Sequence, residues 1–219
     1  MLVKVCGLRD AANIRAVEAL GADWAGFVFY PRSPRYVSAP PAYLPRRCRR
    51  VGVFVNAQPD DVADHVRRYG LGAVQLHGDE PPRYCHRLRR LLPPGCLLLK
   101  AVGIGSAADV DRATAYGPDA CDYLLFDTAC AGRGGCGRTF DWDLLARYPD
   151  RGFPPFLLSG GIGPDALPAL ARFAHPRWAG VDLNSRFEAA PGLKRTDLLA
   201  SFIEKFRKLT SNPLTSPNP

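Results

Sequence analysis

The chain repeats one unit along its 219 residues: an apolar run with strand character, followed by a stretch with helical spacing. Strands separated by helices cannot join as hairpins, so they pair in parallel. Eight units in a chain of this length predict a closed (β/α)8 TIM barrel in a single domain, and a doubly wound open sheet is the alternative. The apolar runs are residues 2–6, 24–29, 51–55, 73–76, 96–101, 121–126, 154–158 and 178–183.

The segments between the runs set the domain boundaries. Asp10 is placed to cap a helix that continues to Leu20. The proline-rich stretch 39–45 predicts that the second helix is short or irregular. We assign residues 1–209 to the barrel domain, whose last helix begins near position 195. Residues 210–219, TSNPLTSPNP, have too few apolar side chains to pack and are expected to form a disordered tail.

The charge and hydropathy of the chain limit the kinds of binding partner to be expected. The formal net charge is +8, and paired arginines at 46–47, 49–50, 67–68 and 89–90 are expected on solvated helix faces. No basic face interleaved with aromatic residues is evident, so we expect no nucleic-acid partner and only a general attraction for small anions. No apolar stretch approaches the ~18 residues of a membrane span, and no signal peptide is evident. A cytoplasmic protein is expected.

Cysteine and histidine usage argues against disulfides and metals. The seven cysteines are odd in number and include no C-x-x-C pair, which predicts neither a disulfide framework nor a zinc site. The four histidines lack companions at ligand spacing. We therefore expect no metal and no cofactor.

Two reactive side chains stand where strands end. Cys6 closes the run Val3–Val5 and precedes a glycine, and Asp127 closes an apolar run in the same way. Because the carboxyl ends of barrel strands share one face, these side chains are expected to flank one cavity as base and acid. Nearby cations such as Lys4 or Arg35 are expected to promote ionisation of the thiol. The alternatives are a buried structural cysteine, and an aspartate that caps a helix or orders the loop through a hydrogen bond with Thr128.

Further polar residues follow other strands. Glycine-rich loops and a helix start after strand seven suit a phosphate, since backbone N–H groups can approach it closely. Arg35 lies in a proline-restricted loop and can bind a carboxylate or phosphate, or simply be solvated. His77 is either a pocket wall and hydrogen-bond donor or a structural histidine. The candidate loop residues are Gly135, Gly137, Gly160, Gly161, Asp182, Asn184 and Ser185.

Eight segments in order resemble the phosphoribosylanthranilate isomerases of tryptophan biosynthesis. They cover nearly the whole chain up to about residue 210. They read KVCGLRD, GADWAGFVFYPRSPRYVS, VGVFVN, VQLHGDE, LLFDT, GGCGRTFDW, LLSGGIGPD and GVDLNSRFEAAPGLK.

The resemblance implies a (β/α)8 barrel that performs an Amadori rearrangement on a small phosphorylated substrate, without metal or organic cofactor. It implies that Asp127 is the general acid at the ribose ring oxygen and Cys6 the general base at C2. Arg35 would hold the anthranilate carboxylate. Backbone amides near Gly135, Gly137, Gly160, Gly161, Asn184 and Ser185 would hold the phosphate.

The chain departs from the family pattern in two loops. Asn184, Ser185 and Arg186 stand where paired serines and a glycine are common, so phosphate affinity is the property most affected. A frequent lysine is missing from the loop after Asp127. Competing interpretations are another phosphosugar barrel, such as an epimerase or a histidine-pathway isomerase, and a basic barrel that binds phosphorylated ligands or RNA without chemistry. A monomer is expected, with a dimer as the alternative.

Overall fold

A computed structural model describes residues 1–129 and 139–211. Eight parallel strands close into a barrel in sequence order, with β8 hydrogen-bonded to β1. The predicted barrel is therefore confirmed, and the open sheet is excluded. The strands are β1 (Leu2–Val5), β2 (Trp24–Val28), β3 (Arg49–Phe54), β4 (Ala73–Leu76), β5 (Leu97–Ile104), β6 (Tyr123–Thr128), β7 (Phe156–Leu158) and β8 (Trp178–Leu183).

Helices surround the barrel. Asp10 caps α1 by accepting a hydrogen bond from the Asn13 N–H at 2.7 Å, as the sequence predicts. The α-helices are α1 (Ala11–Ala19), α2 (Pro59–Tyr69), α3 (Pro82–Arg89), α4 (Ala107–Ala113), α5 (Leu167–Arg172) and α6 (Thr196–Ser211). Short 3₁₀ turns are Trp142–Arg147, Pro164–Ala166 and Ser185–Phe187, and a small hairpin joins β9 (Glu188–Ala190) to β10 (Leu193–Lys194).

The structure departs from the sequence predictions in three places. Residues 29–48 contain no helix, because prolines interrupt this segment and remove backbone donors. Arg49 and Arg50 begin β3 instead of lying on a helix, and Arg46 and Arg47 precede it in a loop. The last helix extends to Ser211, two residues past the predicted boundary, and residues 212–219 lie outside the described part of the chain.

Alternation along the strands sorts the side chains into two layers of core. Phe27, Leu124 and Val181 point outward into the large core between the barrel and its helices. Trp24, Leu125 and the other members of a smaller cluster fill the barrel interior. Residues i and i+2 of a strand share a face. The residue two positions after the last interior residue of a strand is therefore expected to face the barrel axis as well.

That alternation brings functional side chains to one end of the barrel. Lys4 is interior, in register with Trp24 and Asp182, so Cys6 is also interior, two residues further on. Cys6 packs with Val28 and Val53 of the neighbouring strands. Its sulfur fits because β2 has a glycine beside it: a Cβ on Gly26 would lie 2.7 Å from the Cys6 Sγ.

Candidate active site

A cleft opens at the carboxyl ends of the strands. It brings together most of the residues that the sequence singled out. Gly135 and Gly137 lie outside the described residues. The others all line the cleft: Cys6, Arg35, His77, Asp127, Gly160, Gly161, Asp182, Asn184 and Ser185.

Cys6 is a buried thiol between two lysines. Its residue surface is 4% exposed. Burial raises the pKa of the Cys6 thiol; the Lys4 and Lys194 ammonium groups act in the opposite direction but do not outweigh it. Lys4 therefore acts in the expected direction, but burial dominates and the net shift of the Cys6 pKa is upward. The Arg35 guanidinium also attracts the Cys6 sulfur electrostatically, although it is paired with Glu188.

Lys4 and Asp182 form a buried ion pair beneath the cleft. The Lys4 Nζ lies 2.8 Å from Asp182 Oδ1, and both side chains are almost fully buried. Burial lowers the pKa of Lys4, but the Asp182 carboxylate and the Cys6 sulfur together outweigh it and the net shift is upward. Asp182 reaches the cleft wall, where Ser159 Oγ lies 3.5 Å from its second oxygen. Its primary partner is thus an internal lysine, which holds a positive charge under Cys6.

Asp127 stands near the end of β6 with both carboxylate oxygens occupied. Oδ1 accepts a hydrogen bond from the Thr128 N–H at 2.8 Å. Oδ2 lies 3.3 Å from His77 Nε2. The other ring nitrogen of His77 lies 2.9 Å from the Gln75 amide nitrogen. His77 therefore contacts the candidate acid and is not only a wall of the cleft.

Arg35 is held by Glu188. Its Nε lies 2.9 and 3.1 Å from the two Glu188 oxygens, and its Nη2 lies 2.5 Å from Oε2. The edge of the guanidinium expected to grip a substrate carboxylate is thus already paired with a protein carboxylate. Among the described residues, Nη1 of Arg35 has no hydrogen-bond partner, which leaves it as a donor for a ligand.

Lys194 links Glu188 to Asn184 in the loop after β8. Its Nζ lies 2.7 Å from Glu188 Oε1 and 2.7 Å from Asn184 Oδ1. The Lys194 residue is 3% exposed, so its charge is balanced inside the protein by Glu188. Asn184 is thereby fixed from below, with its neighbour Ser185 beginning a 3₁₀ turn at the cleft.

Glu188→Gln is expected to lower the free energy of unfolding by about 2 kcal/mol at pH 7, because it leaves two cations without a counter-charge. Burial raises the pKa of Glu188, but hydrogen bonds from Arg35 and Lys194 outweigh it and the pKa is lowered. The stabilisation is therefore present above the unfolded-state pKa, about 4.3 for glutamate, and is lost as the pH falls through the lower folded value.

Urea unfolding of wild type and Glu188→Gln at pH 7 and at successively lower pH measures this difference. Glu204→Gln is the matched control, because Glu204 forms an exposed pair with Lys208 in α6. The control should change stability by less than about 0.5 kcal/mol. Equal effects of the two substitutions at pH 7 would contradict the importance of the Arg35–Glu188–Lys194 cluster.

The loops after β7 and β8 form the anion side of the cleft. Gly160 and Gly161 both have positive φ, +79° and +65°. A Cβ on Gly160 would lie 2.6 Å from Asp127 Oδ1, so a side chain there would displace the candidate acid. Arg186 stands at the rim, where its Nη2 lies 3.3 Å from both oxygens of the exposed Asp165. The Arg186 guanidinium can leave Asp165 at little cost in free energy, so it is available to bind an anion beside Gly160 and Gly161.

Sequence reasoning missed Gln75, Glu188 and Lys194 as functional residues. Gln75 carried a usable signal: it is a polar residue within an apolar strand, two positions before His77, and so on the same face. Glu188 and Lys194 belong to a hairpin after β8. Their meeting with Arg35, far away in the sequence, depends on closure of the barrel.

The described residues contain no group of three or more histidine, cysteine, aspartate or glutamate side chains arranged to hold a metal ion. None of the helices in residues 1–129 and 139–211 has the length and apolar character of a membrane span.

Comparison with known proteins gives one consistent match. The family model for N-(5'-phosphoribosyl)anthranilate (PRA) isomerase matches residues 3–205. An N-(5'-phosphoribosyl)anthranilate isomerase of Phocaeicola vulgatus is 48% identical, covering 95% of this chain and 98% of that protein.

Two solved structures are also similar. One is a phosphoribosyl anthranilate isomerase in complex with reduced 1-(o-carboxyphenylamino)-1-deoxyribulose 5-phosphate; its TM-score is 0.80 at 35% identity, over 95% of this chain and 99% of that one. The other describes monomers generated from the dimeric enzyme of Thermotoga maritima; its TM-score is 0.78 at 34% identity, over 95% and 99% of the two chains.

Proposed function

Because the chain belongs to the N-(5'-phosphoribosyl)anthranilate isomerase family, we propose that Cys6 and Asp127 are the base and the acid of its reaction. The protein is an isomerase of tryptophan biosynthesis. It converts N-(5-phosphoribosyl)anthranilate to 1-(2-carboxyphenylamino)-1-deoxyribulose 5-phosphate. The observation that carries the assignment is that the sulfur and the carboxyl group line one cleft.

Asp127 begins the reaction. Its carboxyl proton passes to the ribose ring oxygen as the bond between that oxygen and C1 breaks, which leaves a Schiff base between C1 and the anthranilate nitrogen. The carboxylate left on Asp127 accepts hydrogen bonds from the Thr128 N–H and from His77 Nε2, both already in place. Donors held ready for a developing charge lower the barrier because they need no reorganisation.

Cys6 completes it. The thiolate takes the proton from C2, and the electron pair of that bond moves toward the iminium nitrogen to give an enolamine. Proton transfer to C1, with loss of the proton from the C2 hydroxyl group, then yields the ketone product. The lysines below Cys6 favour its thiolate, whereas burial disfavours it. A buried thiolate is poorly hydrated, which makes it a stronger base toward a carbon acid once it has formed.

Substrate binding uses the two ends of the cleft. We assign the anthranilate carboxylate to Arg35, through the Nη1 that Glu188 leaves unpaired. We assign the phosphate to the backbone amides of Gly160, Gly161 and Ser185, with Asn184 fixed beside them by Lys194. Gly135 and Gly137 stay assigned to the phosphate by the family resemblance alone. His77 donates a hydrogen bond to Asp127, and Asp182 forms an ion pair with Lys4 beneath Cys6.

Arg186→Gly is expected to raise KM about three- to tenfold while kcat changes less than twofold, because one charge-assisted contact to phosphate is lost. Among the residues that the structure describes, the ion-pair partner of Arg186 is Asp165, at the exposed rim. Steady-state kinetics across substrate concentrations and at two salt concentrations measures this, since added salt should reduce the difference. A KM equal to that of wild type would show that the side chain does not reach the phosphate. Arg172→Gly, at the last residue of α5, is the control.

The function is tested by following the disappearance of phosphoribosylanthranilate by fluorescence with the purified protein. Rapid loss of the substrate with formation of the ketose product is expected. The two competing interpretations fail differently: an isomerase or epimerase of another phosphosugar would leave this substrate unchanged, and a barrel that only binds would do so too while still retaining phosphorylated ligands.

We further propose that the protein works as a cytoplasmic monomer without a cofactor. The described cysteines Cys6, Cys48, Cys85, Cys96 and Cys121 are all free thiols, which fits a reducing compartment. General acid–base chemistry by one carboxyl and one thiol needs no further group. Analytical ultracentrifugation at micromolar concentration distinguishes the monomer from a dimer.

A further inference from the structure

Gln75 is a buried polar residue of the barrel interior with one unpaired atom. It lies in β4 between Val74 and Leu76 and is 1% exposed. Its amide nitrogen lies 2.9 Å from His77 Nδ1. Its amide oxygen has no hydrogen-bond partner within residues 1–129 and 139–211. Burying an amide with one end unpaired costs free energy compared with an apolar side chain. This cost indicates that the hydrogen bond from the amide nitrogen to His77 has a function.

Two contacts of His77 together assign its proton to one ring nitrogen. Nε2 faces a carboxylate oxygen, and Nδ1 faces the Gln75 amide nitrogen, which is only a donor, so the neutral ring is assigned its proton on Nε2. That Nε2 lies 3.3 Å from Asp127 Oδ2. With Asp127 ionised, the opposite tautomer would turn a lone pair toward the carboxylate, and the contact would be repulsive. The chain of contacts therefore runs from Gln75 through His77 to the acid.

We propose that Gln75 is a positioning residue that fixes His77 in its Nε2–H tautomer, so that His77 donates to the carboxylate formed when Asp127 releases its proton. The inference rests on the proposed role of Asp127 as general acid. Asp127 then has one donor on each oxygen, the Thr128 N–H and the His77 N–H, and keeps its orientation toward the ribose ring. Gln75 itself acts through His77 and donates nothing to the substrate.

Nitrogen NMR of the imidazole rings tests the tautomer without any turnover. The chain has four histidines, and the His77 signals are those missing in His77→Asn. At alkaline pH, where imidazoles are neutral, wild type should show the Nε2–H form. Gln75→Met, of similar size and without a donor, should show a mixture of both forms. Gln75→Glu, whose carboxylate can only accept from Nδ1–H, should shift the ring to the Nδ1–H form.

Kinetics tests the consequence for the acid. Gln75→Met should lower kcat about tenfold, the size of effect expected when a residue that orients a catalytic group through a hydrogen bond is replaced. KM should stay within about twofold of wild type. Gln58→Met is the matched control: Gln58 is the other glutamine of the chain, is exposed, and makes no side-chain capping hydrogen bond at the start of α2. It should leave both the tautomer and kcat unchanged.

Two results would overturn the proposal: an Nδ1–H tautomer in wild type, or a Gln75→Met protein with wild-type tautomer and wild-type kcat. Failure of the proposed function has a different signature. If Asp127 were not the acid, Asp127→Asn would retain wild-type turnover, whereas the tautomer of His77 would still follow residue 75.

Discussion

Cys6→Ala is expected to lower kcat by about 10²- to 10⁴-fold, the range lost with a general base, while KM should stay within a few-fold of wild type. The methyl group cannot take the proton from C2, and no other described side chain occupies that position in the cleft. The sulfur lies in a space framed by Gly26, Val28 and Val53, so alanine leaves only a small gap and the fold persists.

Cys96→Ala is the control for this substitution. Cys96 is also a buried free thiol, but it precedes β5 at the opposite end of the barrel and does not line the cleft. It should keep wild-type kcat. Equal turnover of Cys6→Ala and Cys96→Ala would remove Cys6 from the mechanism. Cys6→Ser should also be slow, because a hydroxyl ionises far less readily than a thiol.

Asp127→Asn is the second substitution with a large effect, again about 10²- to 10⁴-fold in kcat. An amide cannot supply a proton to the ribose ring oxygen, so ring opening loses its acid. Asparagine keeps the shape of the side chain and can still accept the Thr128 N–H hydrogen bond through its oxygen. Circular dichroism and thermal unfolding close to wild type should accompany the loss.

Asp122→Asn provides the matched comparison, one residue before the same strand. Asp122 accepts hydrogen bonds from Arg89 and from the Leu98 N–H at the amino end of the barrel. Its replacement should weaken stability by about 1–2 kcal/mol and leave kcat unchanged. Wild-type turnover of Asp127→Asn would refute its assignment as the acid.

Most of the fold and much of the site follow from local sequence patterns. Period-two alternation fixes the interior face of each strand, so Cys6 and Asp127 could be placed at one end of the barrel from their positions alone. The glycine loop after β7 followed from residue type, because the positive φ values at Gly160 and Gly161 favour glycine.

The charge balance of the site could not be predicted in this way. Burial of Cys6 dominates its pKa, and burial depends on packing by neighbouring strands that a linear pattern does not measure. The pairing of Arg35 with Glu188, 153 residues away, was not predicted. Only closure of the barrel brings them together, and a long-range ion pair leaves no periodic signal.

Substrate carrying deuterium at C2 of the ribose tests the central claim most directly, since it separates the step of the acid from the step of the base. In Cys6→Ala, proton removal from C2 should limit turnover and give a large primary isotope effect. In Asp127→Asn, ring opening should limit turnover and the isotope effect should fall close to unity. Reversed isotope effects, or the same effect in both variants, would contradict the division of labour between the thiol and the carboxyl group.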